Sequence, residues 1–474
     1  MNNNAITRKA LKSGAWYTIA NFLVRSIGFL TTPIFGRLLT KAEFGVVNHY
    51  GSWLSIFTII ITLNLESTFI SARFDHKKTF DDYVYSVLVL SSISSLFWIL
   101  VLNVLNFCFP SILQLDSFYL NAMMVYILFL PAINMYQTRE RYLFEYKHSV
   151  LVSVVVAVGT SVLSVVLVLL SKDKLTARII GGVIPSVIVG IVLFALIVKR
   201  SRKLNFDYWK YALPICLPFI PHLLSLVLLN QMDRIMIRQI CGVEDEGVYS
   251  MASNCGLIIM ILVTSLNSAF SPWLGGKLDS KEFVDIRRFT KKYILLFVIV
   301  SLGFVLVAPE ILFLFGDKPY MEAQYVIPPV ALGCILQFLY IFFVDVEQFY
   351  KHTLGMAIAS MIAALTNYAL NAFLIPMYGY IAAAYTTVAG YLVLLAIHMF
   401  LVYRLKMSHI YSYPFVILVV LVCSIVTIAI SILYACDNIY RYAAILLYLF
   451  ACLIVANKYK AEIKTMVKMI KQKH

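Results

Sequence analysis

Residues 151–170 read LVSVVVAVGTSVLSVVLVLL, twenty consecutive positions with no charged side chain, no proline and no carboxamide. As a helix rising about 1.5 Å per residue, such a run is about 30 Å long, the depth of a bilayer's hydrocarbon core. A transmembrane strand needs only about ten residues and alternates apolar with polar positions, so an outer-membrane barrel is excluded. The rest of the chain repeats the pattern. Of its 474 residues 61% are hydrophobic and 13% charged, where soluble domains carry about a quarter charged residues. Mean hydropathy is +0.85.

Apolar runs between polar breaks predict fourteen spans, near 11–33, 44–66, 83–108, 118–138, 150–170, 178–198, 209–231, 247–270, 292–315, 325–346, 354–375, 381–403, 414–434 and 439–457. The expected class is an all-α, multi-pass integral membrane protein. An even number of spans puts both termini on one side, and the asymmetry of Lys and Arg assigns that side to the cytoplasm. With the N-terminus inside, 29 of the 39 Lys and Arg residues fall on inner segments, nine on outer loops, and Arg25 within the first span. One missed helix would exchange the two sides from that point on, so the asymmetry also supports the count. Its weak point is the outer loop before helix six, with Lys172, Lys174 and Arg178.

The net charge of +15 is therefore read as the positive-inside pattern facing an anionic inner leaflet, and not as a nucleic-acid footprint. The stretch from Lys458 to His474 sets Ile463, Met466, Val467 and Ile470 on one helical face among lysines, the pattern of an interfacial helix. The eight cysteines follow no metal-ligand or redox spacing, and neither a metal nor a cofactor is expected. The first apolar segment is too long for a signal peptide and is read as helix one.

Two pairs of stretches about 200 residues apart match each other. Glu43-Phe44-Gly45-Val46-Val47 resembles Asp245-Glu246-Gly247-Val248-Tyr249, and Leu63-Asn64-Leu65-Glu66-Ser67-Thr68-Phe69 resembles Thr264-Ser265-Leu266-Asn267-Ser268-Ala269-Phe270. In each half an acidic-glycine turn opens a helix that closes in a polar patch. The separation equals six spans, an even number, so the halves share one orientation and form parallel repeats about an axis near the membrane normal. The expected division is 1–203 as an N-terminal six-helix lobe, 204–404 as a C-terminal six-helix lobe, and 405–474 as helices thirteen and fourteen with the basic tail.

Further stretches carry a family resemblance. They are Gly36-Arg37-Leu38-Leu39 leading to Glu43-Phe44-Gly45, Leu213-Pro214 to Pro218 with Pro221-His222, Asn230-Gln231-Met232-Asp233-Arg234, and Ile375-Pro376-Met377-Tyr378-Gly379-Tyr380 before Ala382-Ala383-Ala384. In their order and spacing the chain resembles, over essentially its whole length, the polysaccharide repeat-unit flippases (Wzx-type) of the multidrug/oligosaccharidyl-lipid/polysaccharide (MOP) exporter superfamily. The resemblance implies a MATE-like fold, with two six-helix lobes across a central cavity, in the bacterial cytoplasmic (inner) membrane. It implies carriage of undecaprenyl-diphosphate-linked oligosaccharide from the inner to the outer leaflet for surface polysaccharide such as O-antigen or capsule. The partners expected with it are this lipid-linked oligosaccharide, a coupling ion (H+ or Na+), and a polysaccharide polymerase and glycosyltransferases.

A charge near the bilayer centre costs about 2.5–3.5 kcal/mol on insertion scales, so Arg25 needs a compensating role. Its guanidinium matches phosphate oxygens two at a time, which makes it the expected anchor for the carrier's diphosphate. The alternative is an assembly contact, for example with Glu66. His49 and Glu66 on helix two and His222 and Asn230 on helix seven complete the cavity candidates, with Asn367 and Asn371, which share one face of helix eleven and suit either sugar hydroxyls or interhelical hydrogen bonds. Pro214, Pro218 and Pro221, spaced four and three apart, predict a kink or hinge in helix seven. His222 beside them is a candidate for proton coupling, or a hydrogen-bonded packing residue. Asp233 and Arg234, at the expected outer end of helix seven, are read as helix-end groups that cap and anchor, with gating as the alternative; Arg37 is grouped with them. Asp345 and Glu347 are read as a solvated rim.

A drug or metabolite exporter of the same superfamily would want acidic cavity residues, whereas the clear mid-membrane charge, Arg25, is positive. A membrane polysaccharide polymerase or ligase would need an extramembrane catalytic surface. The longest expected outer connection has about fifteen residues and brings no paired carboxylates, nucleophile triad or phosphate loop, so no enzymatic activity is expected.

Overall fold

A computed structural model of the chain describes residues 24, 26–28, 30–143, 145–350 and 352–458. Among them the N-terminal half forms α1 (30–38), α2 (Lys41–Thr62), α3 (Phe69–Asp75), α4 (Phe80–Cys108), α5 (Pro110–Leu113), α6 (Ser117–Tyr142), α7 (Tyr146–Leu170), α8 (Lys174–Arg200) and α9 (Asp207–Cys216). There follow α10 (Ile220–Ile240), α11 (Val243–Cys255), α12 (Leu257–Asp279), α13 (Phe283–Leu306), α14 (Ala308–Gly316), α15 (Ile327–Phe349), α16 (Thr353–Tyr378), α17 (Ile381–Arg404), α18 (Tyr413–Ala435) and α19 (Asn438–Lys458). Short 3-10 turns at Leu65–Thr68, Leu217–Phe219 and Lys318–Val326 join some of them.

Twelve helical stretches among the described residues are long and apolar enough to cross a membrane, and Asn438–Ile454 is a shorter apolar helix. Each of the twelve falls on one of the fourteen expected spans. The expected first span, with Arg25, lies for the most part outside the described residues, as does the basic tail beyond Lys458. The fourteen-span count thus becomes twelve over the described part.

Local chemistry sets the helix ends. Thr40 and Glu43 form a reciprocal capping box at the start of α2, with Glu43 N–H donating to Thr40 Oγ1 at 3.2 Å and Thr40 N–H to Glu43 Oε2 at 2.8 Å. Its span, expected to reach residue 66, stops at Thr62, because Leu63 (φ 57°) and Asn64 (φ 48°) both take the left-handed conformation and no helix continues through two such residues. Asp116 and Asp173 cap α6 and α8 through their carboxylates. The span expected at 292–315 is shifted: α13 runs Phe283–Leu306, and Pro309 opens the separate α14.

Burial sorts the helices. The apolar part of α15 is 78% buried and that of α7 is 6% buried, so α15 is the centre of the C-terminal half and α7 lies at the periphery. The helix expected at 209–231 is divided at its prolines. Its first part, α9, packs on α4 and the Leu65–Thr68 turn, with Trp209 Nε1 donating to Ser86 O at 2.7 Å and Ala212 and Cys216 entering the N-terminal core. Its second part, α10, packs chiefly on α16. The two halves are thus joined through Leu217–Phe219.

Candidate functional site

The two glycines of the internal repeat meet. A Cβ placed on Gly45 would lie 2.3 Å from Val243 O and 3.1 Å from Gly247 N, and a Cβ on Gly247 would lie 2.1 Å from Lys41 O and 3.3 Å from Gly45 N. The relation is reciprocal: each glycine touches the carbonyl four residues before the other, as a two-fold axis between α2 and α11 requires. Close backbone approach through small residues is how helices associate in lipid.

Below this contact, polar side chains cross between the halves. Asn254 Nδ2 donates to Asn48 Oδ1 at 3.2 Å, and Ser52 Oγ to Gln231 Oε1 at 3.1 Å. Arg234 donates to Asn254 Oδ1 at 3.1 Å and to Gln231 Oε1 at 3.4 Å, so it braces both acceptors. His49 and Glu246 are fully buried, with Nδ1 3.4 Å from Oε1. His49 Nε2 lies 2.8 Å from Leu113 O and 3.1 Å from Trp53 Nε1, whose indole N–H faces both. Arg238 bridges the other Glu246 oxygen, at 3.2 Å, to Gln114 O, at 3.3 Å. Where α2 begins, Lys41 Nζ reaches Glu322 at 3.2 Å. This end of the bundle is shut.

Asp233 lies on α10 beside Arg234 but points the other way, into the C-terminal half. Its carboxylate is 3% exposed and accepts from Tyr249 Oη (2.7 Å), Asn371 Nδ2 (2.7 Å), Asn367 Nδ2 (3.3 Å) and Thr387 Oγ1. Thr386 Oγ1 donates in turn to Asn371 Oδ1. The helix-end reading of Asp233 and Arg234 is therefore corrected. Helix α10 continues through Ile240, about two turns past Asp233, because its polar residues have partners on α11, α16 and α17 and need not leave the membrane.

The remaining candidates are scattered. Arg25 lies outside the described residues. His49 is locked in the seam, which corrects its reading as a cavity wall. Glu66 sits in the turn after α2, held by Asn134 Nδ2 at 3.1 Å. Asn230 accepts from Tyr391 Oη at 2.8 Å. His222 Nδ1 bonds Ser360 Oγ at 2.9 Å, a packing contact within the C-terminal half. Pro214, Pro218 and Pro221 are exposed, and so is Arg37. Asn367 and Asn371 make interhelical bonds to Asp233, the second of their two readings. Glu347 is fully buried and pairs with His398 at 2.8 Å, so it is no solvated rim.

The sequence reading missed Asn48, Gln231, Glu246, Asn254, Thr386 and Thr387. A signal for two of them was present: Gln231 lies inside the Asn230–Arg234 stretch, and Glu246 inside the repeated acidic-glycine turn. Among the described residues no three His, Cys, Asp or Glu side chains converge as a metal site.

The sequence model of the family described as "Polysaccharide biosynthesis protein" matches residues 10–276, more than half of the chain, and that of the MatE family matches 218–373. An uncharacterized membrane protein of Haemophilus influenzae is 24% identical over 366 residues, 75% of this chain and 88% of that protein. Among solved structures, the lipid II flippase MurJ in an inward closed conformation aligns with a TM-score of 0.69 at 16% identity, over 94% of this chain and 99% of that one. An inward-facing multidrug resistance MATE family transporter of the MOP superfamily aligns with a TM-score of 0.59 at 15% identity, over 81% and 95%. Identities this low speak for fold alone, whereas the match over 10–276 speaks for descent. This multi-pass membrane chain belongs to the polysaccharide biosynthesis protein family, and it shares its fold with the MurJ and MATE structures.

Proposed function

We propose that the chain is a flippase that moves undecaprenyl-diphosphate-linked oligosaccharide repeat units from the inner to the outer leaflet of the cytoplasmic membrane, for surface polysaccharide such as O-antigen or capsule. The observation that carries the reading is the reciprocal Gly45–Gly247 contact with its polar seam. A carrier that alternates between two openings must close one end with contacts strong enough to hold and polar enough to exchange for water. The asymmetry of Lys and Arg assigns the sealed end to the outer face and both termini to the cytoplasm. The state described is then closed outward. The six-helix lobes 1–203 and 204–404 rock about Leu217–Phe219, where the proline-rich turn joins α9, which opens the second lobe in sequence but packs on the first, to α10, which packs on α16 and across the seam on α2. Arg25 remains the proposed anchor for the diphosphate, and helices thirteen and fourteen with the tail remain an addition outside the repeat.

A coupling ion, H+ or Na+, finds a chemical home at Asp233. The carboxylate has no basic group among its hydrogen-bond partners, so a proton can neutralise it where it stands, whereas Na+ would need the Asn367 and Asn371 amides to turn their oxygens inward. Arg234, the next residue, braces the seam, so a change at Asp233 is passed to the gate along one turn of α10. The match to MatE over 218–373 favours a second reading, export of a drug or metabolite. Polymerase and glycosyltransferase partners belong to the first reading. Purified protein in vesicles, given labelled lipid-linked oligosaccharide in one leaflet, tests them: exchange that depends on the protein and on an ion gradient supports the flippase, and export of a soluble dye without lipid exchange supports the alternative.

A further inference from the structure

At the end of the bundle opposite the seam, α13, α15 and the start of α18 border a small open cleft. It is too small to enclose a drug-sized ligand, so an occupant docks at its mouth, as the phosphate of a headgroup would. Arg287, Thr290 and Lys291 line one wall, three and four residues apart on one face of α13, and Tyr411, Ser412 and Phe415 line another.

The cations here are uncommitted to carboxylates among the described residues. The Arg287 guanidinium donates to the His409 carbonyl, and the Lys291 ammonium stands 5.5 Å from the centroid of the Phe415 ring. Thr290 is 3% exposed, and its hydroxyl has no hydrogen-bond partner, which is costly for a buried group unless a ligand completes it. Ser412 is the N-cap residue of α18, yet its side chain makes no capping bond, and a helix N-terminus favours an anion. Two cations, an open hydroxyl and a helix start ask for a ligand with several acceptor oxygens.

We propose that this cleft binds a phosphate group, supplied in the membrane by the headgroup of an anionic lipid. Arg287 and Lys291 precede the apolar part of α13 and stand at headgroup level; the asymmetry of Lys and Arg places them in the inner leaflet, which carries anionic lipid. The bound headgroup ties α18 to the C-terminal half and is separate from the seam and from the cargo. The proposal rests on the orientation of the flippase reading and not on its substrate.

The test uses the full-length protein extracted by neutral detergent from mixed phosphatidylcholine–phosphatidylglycerol vesicles, with retained lipid counted by native mass spectrometry. Wild type retains phosphatidylglycerol over phosphatidylcholine. Arg287→Gln combined with Lys291→Gln lowers that retention about tenfold, and Thr290→Val, similar in shape, lowers it about threefold. Lys199→Gln with Arg202→Gln, on the same basic face but away from the cleft, leaves it unchanged. Inorganic phosphate serves as the second probe: protection of Lys291 from acylation by phosphate, without retained lipid, supports a phosphate site filled by the free anion. Lipid retention and phosphate protection that are both indifferent to Arg287 and Lys291, or a loss as large in the Lys199–Arg202 control, overturn the proposal. A thermal melt of each variant separates loss of the site from loss of the fold.

Discussion

Gly45 and Gly247 occupy equivalent places in the two halves and face each other, each against the backbone carbonyl four residues before the other. Neither position has room for a methyl group. By contrast a Cβ on Gly51, one and a half turns further along α2, would meet no atom of a neighbouring segment within 4 Å, so substitutions at the two kinds of position separate closure from helix stability.

Gly45→Ala or Gly247→Ala pushes α2 and α11 apart and destabilises the sealed state by about 1–3 kcal/mol, the usual cost of overpacking. Gly51→Ala is neutral or stabilising by about 0.5–1 kcal/mol, from helix propensity. Disulfide trapping between cysteines at 48 and 254, in a background lacking the eight native cysteines, reports the sealed population. It falls in the first two variants and holds in the third.

Asp233→Ala leaves four donors without their acceptor. Interhelical hydrogen bonds in membranes average about 0.6 kcal/mol each, so the loss is about 2 kcal/mol. The melting temperature in detergent falls, and it falls less in Thr386→Val, which removes one bond to Asn371. A melting temperature unchanged in Asp233→Ala contradicts the hub role.

Asp173 offers a pH dependence that can be read outside the spans. Its hydrogen bonds, first of all that with Thr176, hold its carboxyl below the ordinary aspartate value. A folded value below the unfolded one gives stability that is present above the unfolded value and lost as pH falls through the folded one. Asp173→Ala therefore costs about 1 kcal/mol at neutral pH, and the gap between Asp173→Asn and wild type closes as pH falls below the carboxylate range. Chemical denaturation at neutral and at acid pH measures both.

Pro218→Ala restores an amide in the turn between α9 and α10. A straighter, stiffer helix seven slows leaflet exchange several-fold without lowering the melting temperature. Equal exchange rates in the variant and in wild type contradict a hinge at Leu217–Phe219.

The spans and the parallel repeat are legible in the chain because hydropathy and the recurrence of short turns are properties of the chain alone. The ends are less so. The helix expected at 209–231 reaches Ile240, since Asn230, Gln231, Asp233 and Arg234 look like an interface when their partners on α2, α11, α16 and α17 are unknown. His49 escapes for the same reason: a histidine in an apolar run signals a polar environment but does not say that Glu246, about 200 residues away, provides it. The spacing of Asn367 and Asn371 puts them on one face, yet it does not name the carboxylate they serve. Position in the sequence shows which residues need a partner, and packing decides which partner they find.

On the proposed mechanism, opening the Gly45–Gly247 seam is an obligatory step in moving lipid-linked oligosaccharide. The decisive experiment locks that seam with a disulfide between Asn48→Cys and Asn254→Cys and follows leaflet exchange of labelled lipid-linked oligosaccharide in vesicles. Exchange stops on oxidation and returns on reduction. Full exchange by the locked protein contradicts that mechanism.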